Sequence, residues 1–191
     1  MNNSLLTTAN FLIEEKSLTI ASQITAQSVA SIKQINRLVS SMLMACLHRQ
    51  LQTNIGKGLV QSILQKHALQ VGDISEINRI NAADITTFIA EGNRLFSTIL
   101  PGKKSAVLRI VGHYARLSFS EIDPVVGLCA YSLFSKLALD LSKQNDITTL
   151  MLPFENLAEL APELTYKDYI AIGAYSMLSF PRPVPVIVSV A

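Results

Sequence analysis

The sequence lacks the features of a membrane-inserted or exported chain. No uninterrupted apolar stretch reaches the roughly 18 residues that suggest a membrane span, although 49% of the residues are hydrophobic. The nearest case, residues 125–141, carries Lys136 and Asp140 at helical i,i+4 spacing, which predicts a buried helix with one polar edge. The first four residues lack the basic start and apolar core of a signal peptide. We therefore expect a soluble protein without a transmembrane segment, cytoplasmic by default.

Cysteine is scarce, and its positions point to packing. Cys46 and Cys129 both lie within apolar helical patterns, which predicts two buried thiols in a reducing compartment and does not imply a disulfide. Cys46 and His48 are two residues apart, on different faces of a helix, and cannot chelate a metal together. The cysteines therefore predict no disulfide framework and no metal site.

Acidic residues are absent from two long stretches of the chain. Residues 16–72 and 92–120 contain lysine and arginine but no aspartate or glutamate. In the second stretch Arg109, His113 and Arg116 share the polar edge of one predicted helix, a basic stripe that could contact phosphate. No helix-turn-helix signature and no stacking aromatic residues accompany the stripe, so a solvated face is the better interpretation.

The histidines do not form a catalytic or metal-binding group. His48, His67 and His113 each stand alone on a predicted helix, without a second ligand at i+3 or i+4. We predict that they are surface or capping residues. With no activated nucleophile, ligand cluster or cofactor motif, the sequence assigns no catalytic, cofactor-binding or metal-binding residue, and we expect a protein that is not an enzyme.

Two further segments resemble sites but have simpler interpretations. Residues 56–58, Gly-Lys-Gly, resemble part of a phosphate-binding loop, but the leading glycine spacing and a preceding strand are missing, so we predict a turn. Glu155, Glu159 and Glu163 could share a helical face, but Pro162 interrupts the run. A solvated acidic edge is the better prediction for these glutamates.

The chain aligns with itself without a gap at an offset of 90 residues. Residues 5–51 then lie over residues 95–141, and the match of Ser28 with Ser118 is informative because it is not part of a leucine rhythm. The identical pairs are Leu5 with Leu95, Thr8 with Thr98, Leu18 with Leu108, Ile20 with Ile110, Ser28 with Ser118, Ile32 with Ile122, Leu38 with Leu128, Leu43 with Leu133, Leu47 with Leu137 and Leu51 with Leu141. Amphipathic helices of similar length also align on their leucines, which is the alternative explanation. We predict two pseudo-repeated helical units.

A long helix follows the matched serine in each unit. Ser118 and Glu121 have the Ser-x-x-Glu form of a capping box, with Ser120 and Asp123 as a rival frame. Pro124 is tolerable only near the helix start. The second helix is apolar nearly all round, which predicts a central position; its apolar residues are Ile122, Val125, Val126, Leu128, Cys129, Leu133, Phe134, Leu137 and Leu141.

Behind Ser28 the apolar spacing alternates between three and four, which predicts an amphipathic helix with one buried stripe. The capping box is reduced here to Ser28-x-x-Ser31, which predicts a weaker start. The stripe comprises Val29, Ile32, Ile35, Leu38, Val39, Met42, Leu43, Cys46 and Leu47.

Shorter patterns predict the remaining helices. One helix covers residues 58–69, and a second covers residues 85–100, with Asp84 as its N-cap and Pro101-Gly102 as its end. A third covers residues 104–117, and Asp146 caps a short fourth helix that Pro153 interrupts. A last helix follows Thr165 over residues 166–178. In the 104–117 helix the residues predicted to face inward are Val107, Leu108, Ile110, Val111 and Tyr114. No segment has strict strand alternation except the tail, residues 184–190.

The C-terminal tail, residues 181–191, differs from everything before it. Three prolines within residues 181–185 favour an extended path, and a β-prone apolar run without charge follows. Such a run is an aggregation hazard when free in water, so it docks on its own domain or pairs with another molecule, the alternative being a disordered end. We expect one helical domain over residues 1–180 and a Pro-rich extended tail over residues 181–191.

Several motifs of the second unit resemble the YidB-like family of uncharacterised bacterial proteins. The motifs are residues 99–107 (ILPGKKSAV), 110–112 (IVG), 117–118 (LS) and 125–130 (VVGLCA), and the resemblance covers roughly residues 5–155. It implies an all-helical fold and no established activity. Some members carry a peptidoglycan-binding domain downstream, which implies a link to the cell envelope. Members often have proline and glycine in the second long helix, where this chain has Tyr131 and Ser135.

The sequence therefore predicts an all-α protein, a compact multi-helix bundle with two pseudo-repeated units around a central apolar helix. We expect a non-enzymatic domain that binds another protein. That partner could be a second copy of the same chain. The alternatives are a binder of an apolar small molecule or lipid between the helices and a weak nucleic-acid binder through basic helix faces. A wide apolar cavity would favour the small-molecule or lipid ligand. Convergence of four arginines on one exposed face would favour nucleic acid; they are Arg37, Arg49, Arg109 and Arg116. An exposed apolar patch on a filled core would favour the protein partner.

Overall fold

The computed structural model describes residues 15–71, 82–144, 157 and 159–174. These residues form seven α-helices and no strand, so the predicted all-α class is confirmed. The helices are α1 (Glu15–Thr25), α2 (Val29–Gln50), α3 (Asn54–Val71), α4 (Ala82–Ile99), α5 (Lys104–Ala115), α6 (Phe119–Gln144) and α7 (Tyr166–Ala171). Asp146, Pro153, Glu155 and the whole tail lie outside the described residues.

Helix α6 is the centre of the bundle, as its all-round apolar sequence predicts. It contacts each of the helices α1 to α5, and all nine apolar residues named for it above are buried. By length and composition Phe119–Lys143 could also cross a membrane, but 72% of its apolar window is buried inside the fold, as in the core helix of a soluble protein. Its polar edge is the pair of Lys136 with Asp140, whose Nζ and Oδ2 are 3.4 Å apart.

The most extensive helix contact joins α4 to α6 and includes two glycines. A Cβ atom on Gly92 would lie 1.9 Å from the backbone oxygen of Gly127, and one on Gly127 would lie 2.8 Å from the backbone oxygen of Ile89. Contacts this short leave no space for any side chain, because packed interiors contain few voids. The two glycines therefore set the distance between the helices.

The boundaries of two helix pairs follow the offset of 90 residues. Helices α1 and α5 end at Thr25 and Ala115, and the next residues, Ala26 and Arg116, both have left-handed backbone with φ of 55° and 56°. Ser28 and Ser118 then precede α2 and α6. The matched serines therefore stand at equivalent helix starts. That the two units arose by duplication remains a proposal.

The caps of α2 and α6 use the predicted serines. The hydroxyl of Ser28 accepts the backbone N–H of Ser31 at 3.1 Å, and the carboxylate of Glu121 accepts the backbone N–H of Ser118 at 2.7 Å. The rival frame is wrong, because α6 starts at Phe119 and the carboxylate of Asp123 pairs with the Nζ of Lys104 at 2.6 Å. A side chain that pairs with a lysine of α5 serves tertiary packing and not the cap.

Two predicted helix starts are wrong because the helices begin earlier. Asp84 lies in the first turn of α4 and is not its N-cap; an acid there still interacts favourably with the helix dipole. Residues 56–58 are helical and not a turn, since α3 starts at Asn54. Thr53 satisfies this start by accepting the N–H of Gly56 at 3.0 Å, and a Cβ on Gly56 would meet the backbone oxygen of Gln50 at 2.1 Å.

Two predicted helix ends are wrong because the helices stop earlier. Helix α5 ends at Ala115 instead of residue 117, where Arg116 turns left-handed. Helix α7 ends at Ala171 instead of residue 178, and Gly173 follows with φ of +65°. Its inner surface is fixed by Tyr169, whose hydroxyl lies 2.7 Å from the hydroxyl of Ser41 on α2.

Candidate functional site

His67 is buried, which corrects its predicted place at the surface. Only 3% of the residue is exposed. It lies in phase with Val60 and Leu64 on the buried side of α3, at the i, i+4, i+7 spacing of one helix face. That phase is the sequence signal that could have placed this histidine in the interior.

The two ring nitrogens of His67 face two other helices. Nε2 is 2.9 Å from the hydroxyl oxygen of Ser135 on α6, in a hydrogen bond whose direction depends on the tautomer. Nδ1 lies 3.7 Å from Oε1 of Glu91 on α4, which is too long for a hydrogen bond, and Nδ1 has no hydrogen-bond partner. One imidazole therefore joins α3, α4 and α6.

The carboxylate of Glu91 is held mainly by an arginine. Arg94 donates from Nε at 2.7 Å and from Nη2 at 2.6 Å, a bidentate pair across one turn of α4. These hydrogen bonds lower the pKa of Glu91, and the same carboxylate raises the pKa of Arg94. An ionised carboxylate thus stands near the unpartnered Nδ1 of His67.

Aromatic rings close the cluster. Tyr131 packs edge-on against His67 with ring centroids 5.7 Å apart, and Phe88 of α4 stacks on Tyr131 at 4.5 Å. Tyr131 and Ser135 of α6 therefore both contact the ring of His67.

The cluster has the atom order of a hydrolase triad but no access for a substrate. Serine hydroxyl, histidine Nε2 and a carboxylate near Nδ1 are the groups that activate a serine nucleophile. Ser135, however, is fully buried within α6, where neighbouring backbone N–H groups are used by the helix and cannot stabilise an oxyanion. Burial also lowers the pKa of His67. The chemical consequence of the cluster is therefore a neutral imidazole whose protonation is coupled to helix packing.

Among the described residues, the others singled out from the sequence do not form a second chemical site. Cys46 and Cys129 are free and buried, as predicted, and burial raises the pKa of the Cys46 thiol to about 12. His113 is exposed. Within the described ranges no group of three histidine, cysteine or acidic residues could hold a metal ion. Arg37 is bound to Glu163, with Nη2 and Oε1 3.2 Å apart, so it is not a free phosphate contact.

An exposed, partly apolar stripe runs along α3 on a different face from His67. We call it the α3 stripe; it consists of Ile55, Leu59, Ser62, Lys66 and Leu69, and all five residues are exposed. Ile55 is 87% exposed and Leu69 is 89% exposed. Beside it a groove of about 440 Å³ between α3 and α6 is lined by Ala68, Leu69 and Ala138 together with Ser62, Gln65, Lys66 and Ser142. The sequence analysis did not identify this stripe, because it used the spacing of buried apolar residues to predict the helix and the stripe is on the exposed side.

Comparison with known proteins gave no match: no family model, no curated protein and no solved structure is significantly similar to this chain.

Proposed function

We propose that this protein is a non-enzymatic helical domain that binds an amphipathic helix of another protein along the α3 stripe. The observation that carries the proposal is the exposure of Ile55, Leu59 and Leu69 on one face of a helix whose opposite face is packed in the core. Isolated exposed apolar residues are ordinary, but three that share one helix face, with Ser62 and Lys66 between them, favour an interaction surface.

The spacing of the α3 stripe favours a helix as the partner. Its residues stand at i, i+4, i+7, i+11 and i+14, the alternation of four and three that presents a seam to another helix. The groove between α3 and α6 lies next to Leu69 and offers a place for an apolar anchor side chain. Helix-in-groove binding uses such anchors at i, i+3 or i+4, and i+7.

Charge favours a partner with acidic flanks. Lys66 lies within the α3 stripe, and helix α3 contains no acidic residue. Two copies of the stripe in contact would bring like charges together, which disfavours self-association through this face. A partner helix with glutamates beside its apolar seam would be attracted instead.

The proposed membership in the YidB-like family rests on the sequence motifs alone. That family has no established activity, so it neither supplies nor opposes a binding partner. The cytoplasmic location is likewise a proposal, and an envelope link would follow from the resemblance.

The binding proposal is tested with a synthetic amphipathic peptide. Its seam carries leucines at heptad a and d positions, its flanks carry glutamates, and a matched peptide carries lysines in their place. We expect the acidic peptide to bind the full chain in a fluorescence-anisotropy titration more tightly than the lysine peptide does. The double substitution Ile55→Ser with Leu69→Ser should weaken this binding at least about tenfold, since large apolar anchors dominate such interfaces.

The matched control is Ile170→Ser, because Ile170 is also an exposed apolar residue, at 47%, but lies on α7. It should leave peptide binding unchanged. Equal binding by the wild-type and Ile55→Ser/Leu69→Ser chains would refute the proposal. A dimer seen by light scattering that the double substitution dissociates would also contradict it, because the partner would then be a second copy.

A further inference from the structure

The described residues end close to the start of α3. Ala174 is the last of them; it is buried, and its backbone N–H donates to the backbone oxygen of Tyr169 at 2.9 Å. Gly173 lines a small cavity together with Gln50 at the end of α2. The backbone oxygen of Gln50 in turn lies against Gly56 in the first turn of α3. The chain beyond Ala174 therefore starts near the end of α3 at which the α3 stripe begins.

The sequence beyond Ala174 contains a row of valines. Valine occupies every second position over residues 184–190, namely Val184, Val186, Val188 and Val190. Alternate side chains of an extended chain point to the same side, so an extended conformation places all four valines on one face. Pro181, Pro183 and Pro185 favour that conformation in advance, which lowers the entropy lost on docking.

The valine row and the α3 stripe match in length. At about 3.3 Å per residue the row from Val184 to Val190 spans about 20 Å, and at about 1.5 Å per residue the stripe from Ile55 to Leu69 spans about 21 Å. Successive valines are about 6.6 Å apart, close to the roughly 6 Å along the helix axis between Ile55 and Leu59. The chain between Ala174 and Val184 can extend over about 33 Å, so it is long enough to bring the row to the stripe.

Charge favours this segment over a second copy of the stripe. Residues 183–191 contain no charged side chain, so docking brings no further cation to Lys66. The aliphatic stem of Lys66 can pack on valines while its ammonium group stays in water. A segment of the same chain is also present at an effective concentration on the order of millimolar, so modest contacts suffice to hold it.

We propose that residues 184–190 dock in an extended conformation on the α3 stripe of their own chain, with Val184 beside Ile55 and Val190 beside Leu69. The segment then covers the surface to which the partner helix binds, and the partner has to displace it. This regulatory role rests on the function proposed above. The docking itself does not, because it requires only that the valine row and the apolar residues of the stripe bury each other.

Disulfide crosslinking in the full chain tests the docking without any partner. Leu59→Cys is combined with Val186→Cys, on the side that faces the stripe, or with Ile187→Cys, on the opposite side of the extended chain. A disulfide needs Cβ atoms about 4 Å apart, so in oxidised glutathione the Val186→Cys pair should form an intramolecular disulfide about tenfold faster than the Ile187→Cys pair. The native cysteines are buried, and peptide mapping by mass spectrometry identifies which thiols are joined.

The control for proximity combines Val186→Cys with Ile170→Cys. Ile170 is exposed and is much closer to Val186 in sequence than Leu59 is, and short loops close more readily than long ones. An undocked segment would therefore react faster with Ile170→Cys, whereas we expect faster reaction with Leu59→Cys. Faster reaction at Ile170→Cys or equal rates for Val186→Cys and Ile187→Cys would overturn the proposal. Covalent dimers through Leu59→Cys in place of the intramolecular disulfide would overturn it as well.

The covering role is tested by titrating the acidic peptide into three full chains. Val186→Ser with Val188→Ser should bind the peptide about tenfold more tightly than the wild type, because a larger fraction of the chains then has a free stripe. Ile187→Ser is the matched control and should bind like the wild type. Equal binding by the wild type and the double variant would overturn the covering role.

The two experiments separate this proposal from the proposed function. Crosslinking to Leu59→Cys with no peptide binding to any of the chains supports the docking and refutes the partner helix. Peptide binding that depends on Ile55 and Leu69, without preferential crosslinking to Leu59→Cys, supports the partner helix and refutes the docking.

Discussion

Burial of His67 makes a single residue sensitive to pH. Burial lowers its pKa below the ordinary value of 6.5, so the folded chain keeps a neutral imidazole while the unfolded chain takes up a proton. As the pH falls below about 6.5, the unfolded state binds more protons and the free energy of unfolding falls. Glu91, whose pKa the hydrogen bonds from Arg94 lower from 4.5, keeps its charge across this window.

We therefore expect His67→Gln to flatten the pH dependence of stability between about pH 7 and pH 5, each pKa unit being worth about 1.4 kcal/mol. Urea unfolding at several pH values measures this. Gln65→Ala serves as the control, because Gln65 is an exposed residue of the same helix that does not titrate, and it should retain the slope of the wild type. An unchanged slope in His67→Gln would show that other groups cause the pH dependence.

The sequence could predict little of this cluster. The phase of His67 with Val60 and Leu64 indicates a buried position, but its hydrogen-bond partner Ser135 is 68 residues away in sequence. Local periodicity contains no information about which helix faces meet. The cysteines were predictable because apolar neighbours alone suffice to bury a thiol.

At the scale of helices, the glycine contact between α4 and α6 gives the sharpest prediction. Gly92→Ala should lower the free energy of unfolding by about 3 kcal/mol or more, at the upper end of overpacking effects, because its Cβ would lie 1.9 Å from a backbone oxygen. Gly58→Ala is the control: nothing lies within 4 Å of its Cβ position, and alanine stabilises a helix by about 1 kcal/mol over glycine. Chemical denaturation should show opposite signs, and a neutral Gly92→Ala would contradict the close contact.

The left-handed residues after α1 and α5 give a paired prediction. Ala26 and Arg116 have φ near +55°, a conformation that disfavours residues with a Cβ atom by about 1–2 kcal/mol. Ala26→Gly and Arg116→Gly should therefore each stabilise the protein by about 1 kcal/mol in thermal or urea unfolding. Ala30→Gly, on the exposed side of α2, should destabilise by a similar amount; stabilisation there as well would show that backbone conformation is not the cause.

Helix boundaries divide into those that sequence chemistry specifies and those that tertiary contacts move. The starts of α2 and α6 were predictable because the hydroxyl of Ser28 and the carboxylate of Glu121 each accept a backbone N–H nearby in the sequence. The end of α7 was not, because the residues that stop it, Ile172 and Gly173, pack against Cys46 and Lys103 far away in sequence. Asp84 was misassigned because an acid is favourable at the N-cap and in the first turn alike.

At the scale of the molecule, both cysteines belong to one hydrophobic core although they lie in different helix pairs. We expect neither to react with a thiol reagent in the native state, and both to become reactive over the same range of urea concentration. Mass spectrometry of labelled protein across a urea series measures this. Earlier labelling of Cys46 would show that the end of α7 opens separately, because Cys46 contacts Ile172 and Cys129 is at the centre of α6.

The contacts of α7 also have a consequence for the order in which the molecule is made. Its partners on α2 are more than 120 residues earlier in the chain: Tyr169 and Ser41 are 128 residues apart, and Ile172 and Cys46 are 126 apart. A ribosome adding about 5–20 residues per second leaves the corresponding surface of α2 without its cover for several seconds or more. During translation the surface of α2 around Ser41 and Cys46 therefore lacks this cover until α7 and the residues after it have been synthesised.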